Sequence, residues 1–232
     1  MLEIFKKLLA AAVEIMAAKA EKKEPEEDTR SFEDLLTIDN VRAVMKSKGY
    51  TFFENGAFNL NLVGIRRGSS KSNKFDDYFM MMYKDQAAQW VIKRFPVTTD
   101  PGKYWLENPT NPKGTAILIP GQHKSTWKIA KHQGKYEALC QRKPLRVWRD
   151  NNKDSVLDFH SSPEDEGYFG INIHRSNPYT ESSQVDKWSA GCQVFKKVAN
   201  FNEFMGCCRE SAAMYGDSFT YTLLEEQDFR AL

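Results

Sequence analysis

Two side chains able to do acyl-transfer chemistry stand one loop apart in this chain. It reads Gly170-Ile171-Asn172-Ile173-His174, then the fourteen residues from Arg175 to Trp188, then Ser189-Ala190-Gly191-Cys192-Gln193-Val194-Phe195. A cysteine attacks a carbonyl as thiolate, and a free thiol ionises only near pH ~8.5, so it needs a base or a positive field beside it. An imidazole delivered by a separate element can supply one. Alternation along an extended segment puts Phe169, Ile171 and Ile173 on one apolar face, with Gly170, Asn172 and His174 on the other. The His174 ring is therefore expected to point away from the core. Gly191 permits the sharp backbone path that a nucleophile turn needs. The plain alternative is a buried structural thiol and a satisfied histidine, and residue types alone do not separate the two. The catalytic reading expects the sulfur within about 4 Å of a ring nitrogen.

The segment resembles the catalytic motif of the L,D-transpeptidase (YkuD-type) family: a histidine, a loop of similar length, Ser or Thr, then His-Gly-Cys. On that resemblance Cys192 is the nucleophile, His174 the general base, and Ser189 and Gly191 shape the turn. A looser likeness covers Val97-Thr98-Thr99-Asp100-Pro101-Gly102 and Lys113-Gly114-Thr115-Ala116-Ile117-Leu118, within residues 57–225 as a whole. The resemblance implies a mainly β fold, a β-sandwich or open barrel with a few peripheral helices. It also implies a thioester formed on peptidoglycan stem peptides and no required cofactor. A second amine would resolve that thioester to a crosslink, and water would resolve it to a trimmed or severed peptide. Asn172, Asn177, Tyr179 and Trp188 are then the candidate substrate contacts. Asn172 could also orient His174, a task a backbone carbonyl performs equally well.

Two departures stand out. The motif's second histidine is Ala190 here, and where the family has a hydrophobic residue and then an arginine after its cysteine, Gln193 and Val194 follow. That arginine would help hold a substrate carboxylate. The Ser-Ala-Gly-Cys-Gln form resembles a divergent branch found in phage and prophage proteins. This implies synthesis in the cytoplasm, phage delivery, and wall remodelling or lysis at the cell wall or periplasm. The competing expectation is a catalytically inactive structural or binding protein on the same fold, such as a virion component.

Composition narrows the classes. The 33 basic and 31 acidic residues leave a net charge of +2, which gives no clustered basic excess for nucleic acid. The run Lys124–Lys135, broken by Trp127 and Ile129, reads as a solvated strand-and-turn face. Cys140, Cys192, Cys207 and Cys208 offer no Cys-x-x-Cys spacing for zinc and no disulfide framework. Asp150, Asn152, Asp154 and Asp158 resemble the first part of a calcium loop, but Ser155 and Ser161 stand where its glycine and bidentate glutamate belong. A polar turn is the alternative to a structural calcium site.

The elements that must position the pair can be read from pattern. Residues 1–20 suit an amphipathic helix with Ile4, Leu8, Ala11 and Ile15 on one face, available to dock on a protein partner and too short to span a bilayer. The alternative is a cleaved secretion signal, against which Glu3 and Glu14 count. Residues 21–37 read as a charged linker and 38–232 as the catalytic domain. A short helix is expected over Asp39–Lys48. Asn55-Gly56 signals a hairpin between Tyr50–Glu54 and Ala57–Ile65. Strands are expected at 78–83, 88–97, 115–120, 136–141, 145–149, 169–174 and 218–224, with a helix over Asn202–Tyr215 closed by Gly216.

Overall fold

Eight strands close into a barrel because both edges of every one of them find a partner. A computed structural model describes residues 30–232; the expected helix over 1–20 and most of the linker lie outside them. The remaining linker residues hold a short helix, α1 (Phe32–Leu35), and Leu35–Leu232 form one unit. There α2 (Ile38–Ser47) starts where the Thr37 hydroxyl accepts the Asn40 N–H at 3.1 Å, an ordinary N-cap. The barrel strands are β1 (Asn61–Arg66), β2 (Asp77–Lys84), β3 (Trp90–Thr98), β5 (Gly121–His132), β6 (Tyr136–Gln141), β9 (Ile173–Arg175), β10 (Gln193–Phe195) and β11 (Phe219–Glu225). Around the barrel they run β1-β11-β5-β6-β9-β10-β3-β2. Strands β4 (Thr115–Leu118), β7 (Leu145–Asp150) and β8 (Glu164–Gly167) make a separate sheet in the order β4-β7-β8. The fold is mainly β, as the sequence led one to expect.

Phe79, Met81, Val97, Trp127, Leu139, Ile173, Phe195, Tyr221 and Leu223 fill the core. Helix α4 (Val198–Tyr215) adds Phe201, Phe204, Met205 and Cys208 to it. Phe195 stacks on Phe204 with ring centroids 5.0 Å apart, so α4 and the cysteine strand β10 are packed as one body. Two short helices, α3 (Lys103–Glu107) and α5 (Glu226–Arg230), complete the unit.

The expected Asn55-Gly56 hairpin does not form. One edge of β1 is taken by β2 and the other by β11, in parallel register, so no edge is left for residues 50–54. Side chains hold that segment instead. Asn61 accepts the Phe53 N–H at 2.7 Å and donates to the Phe53 carbonyl at 2.8 Å. Gln122 brackets Thr51 in the same way. The run 124–135 is the expected strand and turn, with Lys124, Lys128, Lys131 and Lys135 exposed along β5 and the turn after it. Trp127 is fully buried in the barrel, and His132, the last residue of β5, is buried as well. The strand expected from Phe169 begins only at Ile173. Gly170 takes a φ of 71°, and the Gln141 amide oxygen accepts the N–H groups of both Phe169 and Ile171, at 3.1 and 3.0 Å, in place of a ladder.

Candidate active site

Strands β9 and β10 are parallel neighbours, with Ile173 opposite Gln193 and His174 opposite Val194. Residues directly opposite share a face. The register continues one step back, because Gln193 N–H donates to the Asn172 carbonyl at 2.9 Å. Asn172, His174, Cys192 and Val194 therefore share the outer face, while Ile173, Gln193 and Phe195 point into the barrel. His174 does turn away from the core. It is buried nonetheless, covered by groups from β5 and β6.

Each ring nitrogen of His174 has a defined state. Nδ1 lies 2.8 Å from the Arg175 carbonyl oxygen, which can only accept, so Nδ1 carries the proton. Nε2 is left with a free lone pair, the form required of a base. The Tyr136 hydroxyl sits 3.3 Å from Nδ1 and donates to the Arg175 carbonyl at 3.2 Å. Burial, with His132 beside it, holds the His174 pKa down at about 3 against the pull of the Arg175 carbonyl. The ring is neutral at pH 7.

His132 was not foreseen from sequence. Its ring stacks on His174 with centroids 4.0 Å apart and planes 19° apart. The amide of Asn172 is fixed by the Gln141 N–H, which donates to Oδ1 at 2.9 Å. Its Nδ2 therefore donates to His132 Nδ1 at 3.0 Å. That makes His132 Nδ1 an acceptor and leaves the proton on Nε2. Asn172 thus supports the base through a second imidazole, and the Arg175 carbonyl orients His174 directly.

Cys192 is half-buried. Its thiol donates to the Gly170 carbonyl at 3.4 Å and accepts the Asn172 N–H at 3.4 Å. Burial pushes the thiol up to about 11, with the Asn172 N–H working against that rise. No hydrogen bond joins the sulfur to either nitrogen of His174 among the described residues. Thiol and imidazole share a face one register step apart, and both are neutral at rest.

The turn before Cys192 is tightly built. The Ser189 hydroxyl donates to the Cys192 carbonyl at 2.8 Å and accepts the Gly191 N–H at 3.2 Å. Gly191 has a φ of 116°, and a Cβ there would strike the Ala116 carbonyl oxygen, so glycine alone fits. The Ser189 carbonyl accepts the Gly102 N–H at 2.8 Å. Both upstream segments, 97–102 and 113–118, therefore abut the turn. The Cys192 N–H, unlike that of Gly191, has no acceptor among the described residues.

Val194 stands at the position of the arginine, and Gln193, where the resemblance led one to expect a hydrophobic residue, serves the interior. Its Nε2 donates to the carbonyls of Thr99 and Gly191, at 3.3 and 3.4 Å, and its Oε1 accepts the Tyr221 hydroxyl at 2.7 Å. Beside it lies Arg66, fully buried, 2.7 Å from Asp100 and donating to the carbonyls of Thr99 and Leu118. Asp77 accepts the Thr99 N–H and hydroxyl, at 2.7 and 2.8 Å. Burial next to Asp100 pushes Asp77 up to about 8.

A cavity of about 450 Å³ opens on the outer face, lined by His132, Gln133, Lys135, Tyr136, His174, Arg175, Pro178, Lys187 and Trp188. A smaller one of about 240 Å³ lies on the Ala190 side, against Arg149, Tyr168 and Phe169. Of the candidate substrate contacts, Trp188 lines the larger cavity. Asn177 instead accepts the N–H groups of Tyr179 and Thr180 within its own loop, and Tyr179 is 90% exposed and lines neither cavity. In the acidic loop, Asn152 Nδ2 bridges the carboxylates of Asp154 and Asp158 at 3.0 and 2.8 Å, and Asp150 accepts the Asp158 N–H. No group of three or more His, Cys, Asp or Glu able to hold a metal occurs among the described residues, and no helix there is long and apolar enough to cross a membrane. No family model, curated protein or solved structure matches this chain.

Proposed function

We propose that this protein is a cysteine-dependent acyltransferase or peptidase of the L,D-transpeptidase type, acting on peptidoglycan stem peptides at the cell wall. The observation that carries the reading is the state of His174. Its Nδ1–H is committed to the Arg175 carbonyl and its Nε2 lone pair is free on the face it shares with Cys192. A donor carbonyl seated over that face brings the reaction about. Nε2 takes the proton from Sγ, the sulfur–carbon bond forms, and the carbonyl oxygen becomes an oxyanion held by the unused Cys192 N–H. Collapse breaks the carbon–nitrogen bond, and the leaving amine takes the proton back from His174. The resulting thioester is opened by a second amine or by water, which gives its proton to His174 as Sγ departs.

The resting site holds its thiol protonated. Activation therefore waits for a bound donor to exclude the Gly170 contact and bring sulfur and imidazole together. That dormant state is the observation favouring the second reading, an inactive binding or structural protein on the same fold. Incubation with purified peptidoglycan fragments separates them. Mass spectrometry of the intact protein should show an acyl adduct on Cys192 that Cys192→Ala lacks, with crosslinked or trimmed peptides as products. Identical behaviour of the two proteins would leave the binding reading standing.

A further inference from the structure

The larger cavity carries an excess of one charge. Lys135, Arg175 and Lys187 line it, and no acidic residue does. Among the described residues none of the three has a carboxylate partner. Arg175 donates to the Ser176 carbonyl at 3.0 Å and lies 4.1 Å from the centre of the Tyr136 ring. Lys187 lies 4.2 Å from the centre of the Tyr104 ring. Carboxylates close to them in sequence are committed elsewhere: Glu181 to Lys196 and Lys197, Glu137 to Arg209, Asp186 to the Asn73 amide. The floor adds a directed donor. His132 is buried, its Nδ1 is occupied by Asn172, and its Nε2–H has no acceptor among the described residues. Stacked against it, His174 offers only a lone pair. The two rings thus present a donor and an acceptor side by side, and an anion is attracted to the first and repelled by the second. Tyr136, Pro178 and Trp188 form apolar walls, which suit a carbon body behind the charge rather than a bare inorganic ion.

We propose that this cavity is a carboxylate subsite: His132 Nε2–H and the ammonium groups of Lys135 and Lys187, with Arg175, hold the carboxylate end of an aliphatic group of the substrate, beside the reacting carbonyl. Assigning that group to the acyl donor rests on the function proposed above; the affinity of the cavity for a carboxylate does not. A built-in benefit follows from electrostatics. Lys135 and Arg175 help hold the His132 pKa down, and His132 and Arg175 do the same to His174. A carboxylate among them offsets that field and makes the base stronger just when a donor is bound.

The test uses the Cys192→Ala chain, so it is blind to catalysis and fails independently of the enzymatic reading. Glutarate, its uncharged analogue glutaramide and inorganic phosphate are titrated at low salt while NMR follows the Trp188 indole and the His132 ring. Glutarate should give saturable shifts at both groups, and glutaramide should not. K135Q/K187Q should weaken glutarate about tenfold, as expected for losing direct charge contacts. Equal shifts from glutaramide, no saturable shift, phosphate binding tighter than glutarate, or unchanged affinity in the double variant would each overturn the proposal. The glutaramide comparison needs no substitution in the cavity, so it stands whatever the variant does to folding.

Discussion

The β9–β10 pair separates two polar clusters that treat charge in opposite ways. Inside the barrel, Arg66 is 1% exposed and its guanidinium is met by Asp100, Thr99 and Leu118. Outside, Lys135, Arg175 and Lys187 surround a cavity and have no carboxylate among the described residues. A buried ion is costly unless every donor finds a partner, so the interior cluster is a closed piece of architecture. It holds Thr99 and, through Gln193, the Gly191–Cys192 turn. The outer cluster is partly solvated and tolerates unpaired cations, which leaves it free to take an anionic partner. Rigid support lies on one face and an open coordination set on the other, with the cysteine turn between them.

The largest effect should come from the outer face and should touch chemistry alone. His174→Gln keeps a polar group of similar reach but removes the basic imidazole nitrogen proposed to accept the thiol proton. Adduct formation on Cys192 should fall about a hundred- to ten-thousand-fold, the usual worth of a positioned base, while the denaturant midpoint stays close to that of the parent chain. Loss of folding with no separate loss of chemistry would make His174 a structural residue. The opposite signature is expected inside. Arg66→Met leaves Asp100 without its cation in a dry core, and about 3–5 kcal/mol of stability should be lost in urea unfolding. A loss below about 1 kcal/mol would mean that water reaches the cluster and that the interior is not closed.

This contrast explains what could be read ahead of the structure. His174, Ser189, Gly191 and Cys192 were legible because one loop joins them and strand alternation dictates the face of His174. The same alternation placed Phe169, Ile171 and Ile173 inward. His132 was not legible. It reaches His174 only because β6 lies beside β9 through a single register pair, Leu139 opposite Ile173, and nothing local encodes that pairing. Its one signal was its place at the end of a strand, before Gln133-Gly134. The Asn55-Gly56 hairpin failed for the converse reason. The local turn preference was real, and Gly56 does adopt a φ of 83°, but β2 and β11 had already claimed both edges of β1. The inward direction of Gln193 was not legible either, because it depends on the parallel register with β9.

The two clusters should also pull stability in opposite directions with pH. His174 titrates near 3 when folded and near ~6.5 when unfolded. Between those values the unfolded chain binds the extra proton, so stability is lost as pH falls below about 6.5. His132 and His123, also lowered by burial, act in the same sense. Asp77 keeps its proton up to about 8 in the fold and only to ~3.9 when unfolded. Its contribution is lost as pH rises from about 4 to 8, and Asp150, raised to about 6, adds to that over a narrower range. The two senses oppose below pH 6.5, and only the carboxyl term remains above it. Thermal unfolding should thus show declining stability from pH 6.5 to 8, a decline that Asp77→Asn abolishes and His174→Gln leaves intact. A flat profile over that range would mean that Asp77 is ionised throughout.

The smallest effects sharpen the contrast most directly, because the same atom can be removed on each face. The Tyr221 hydroxyl donates to Gln193 Oε1 inside the barrel at 2.7 Å, and Gly64 gives it room, since a Cβ there would meet the hydroxyl. Tyr221→Phe leaves that amide oxygen buried without a donor, at a cost of about 1–3 kcal/mol. The Tyr136 hydroxyl donates to the Arg175 carbonyl at the cavity edge, where water can take its place. Tyr136→Phe should therefore change stability by no more than about 0.5 kcal/mol, and its consequence should show in the rate of adduct formation, through a less firmly held Arg175 carbonyl and His174 ring. Urea midpoints and adduct rates measured on both variants give two ratios. If the two tyrosines cost the same stability, the interior network is as wet as the cavity, and the division of labour across β9 and β10 fails.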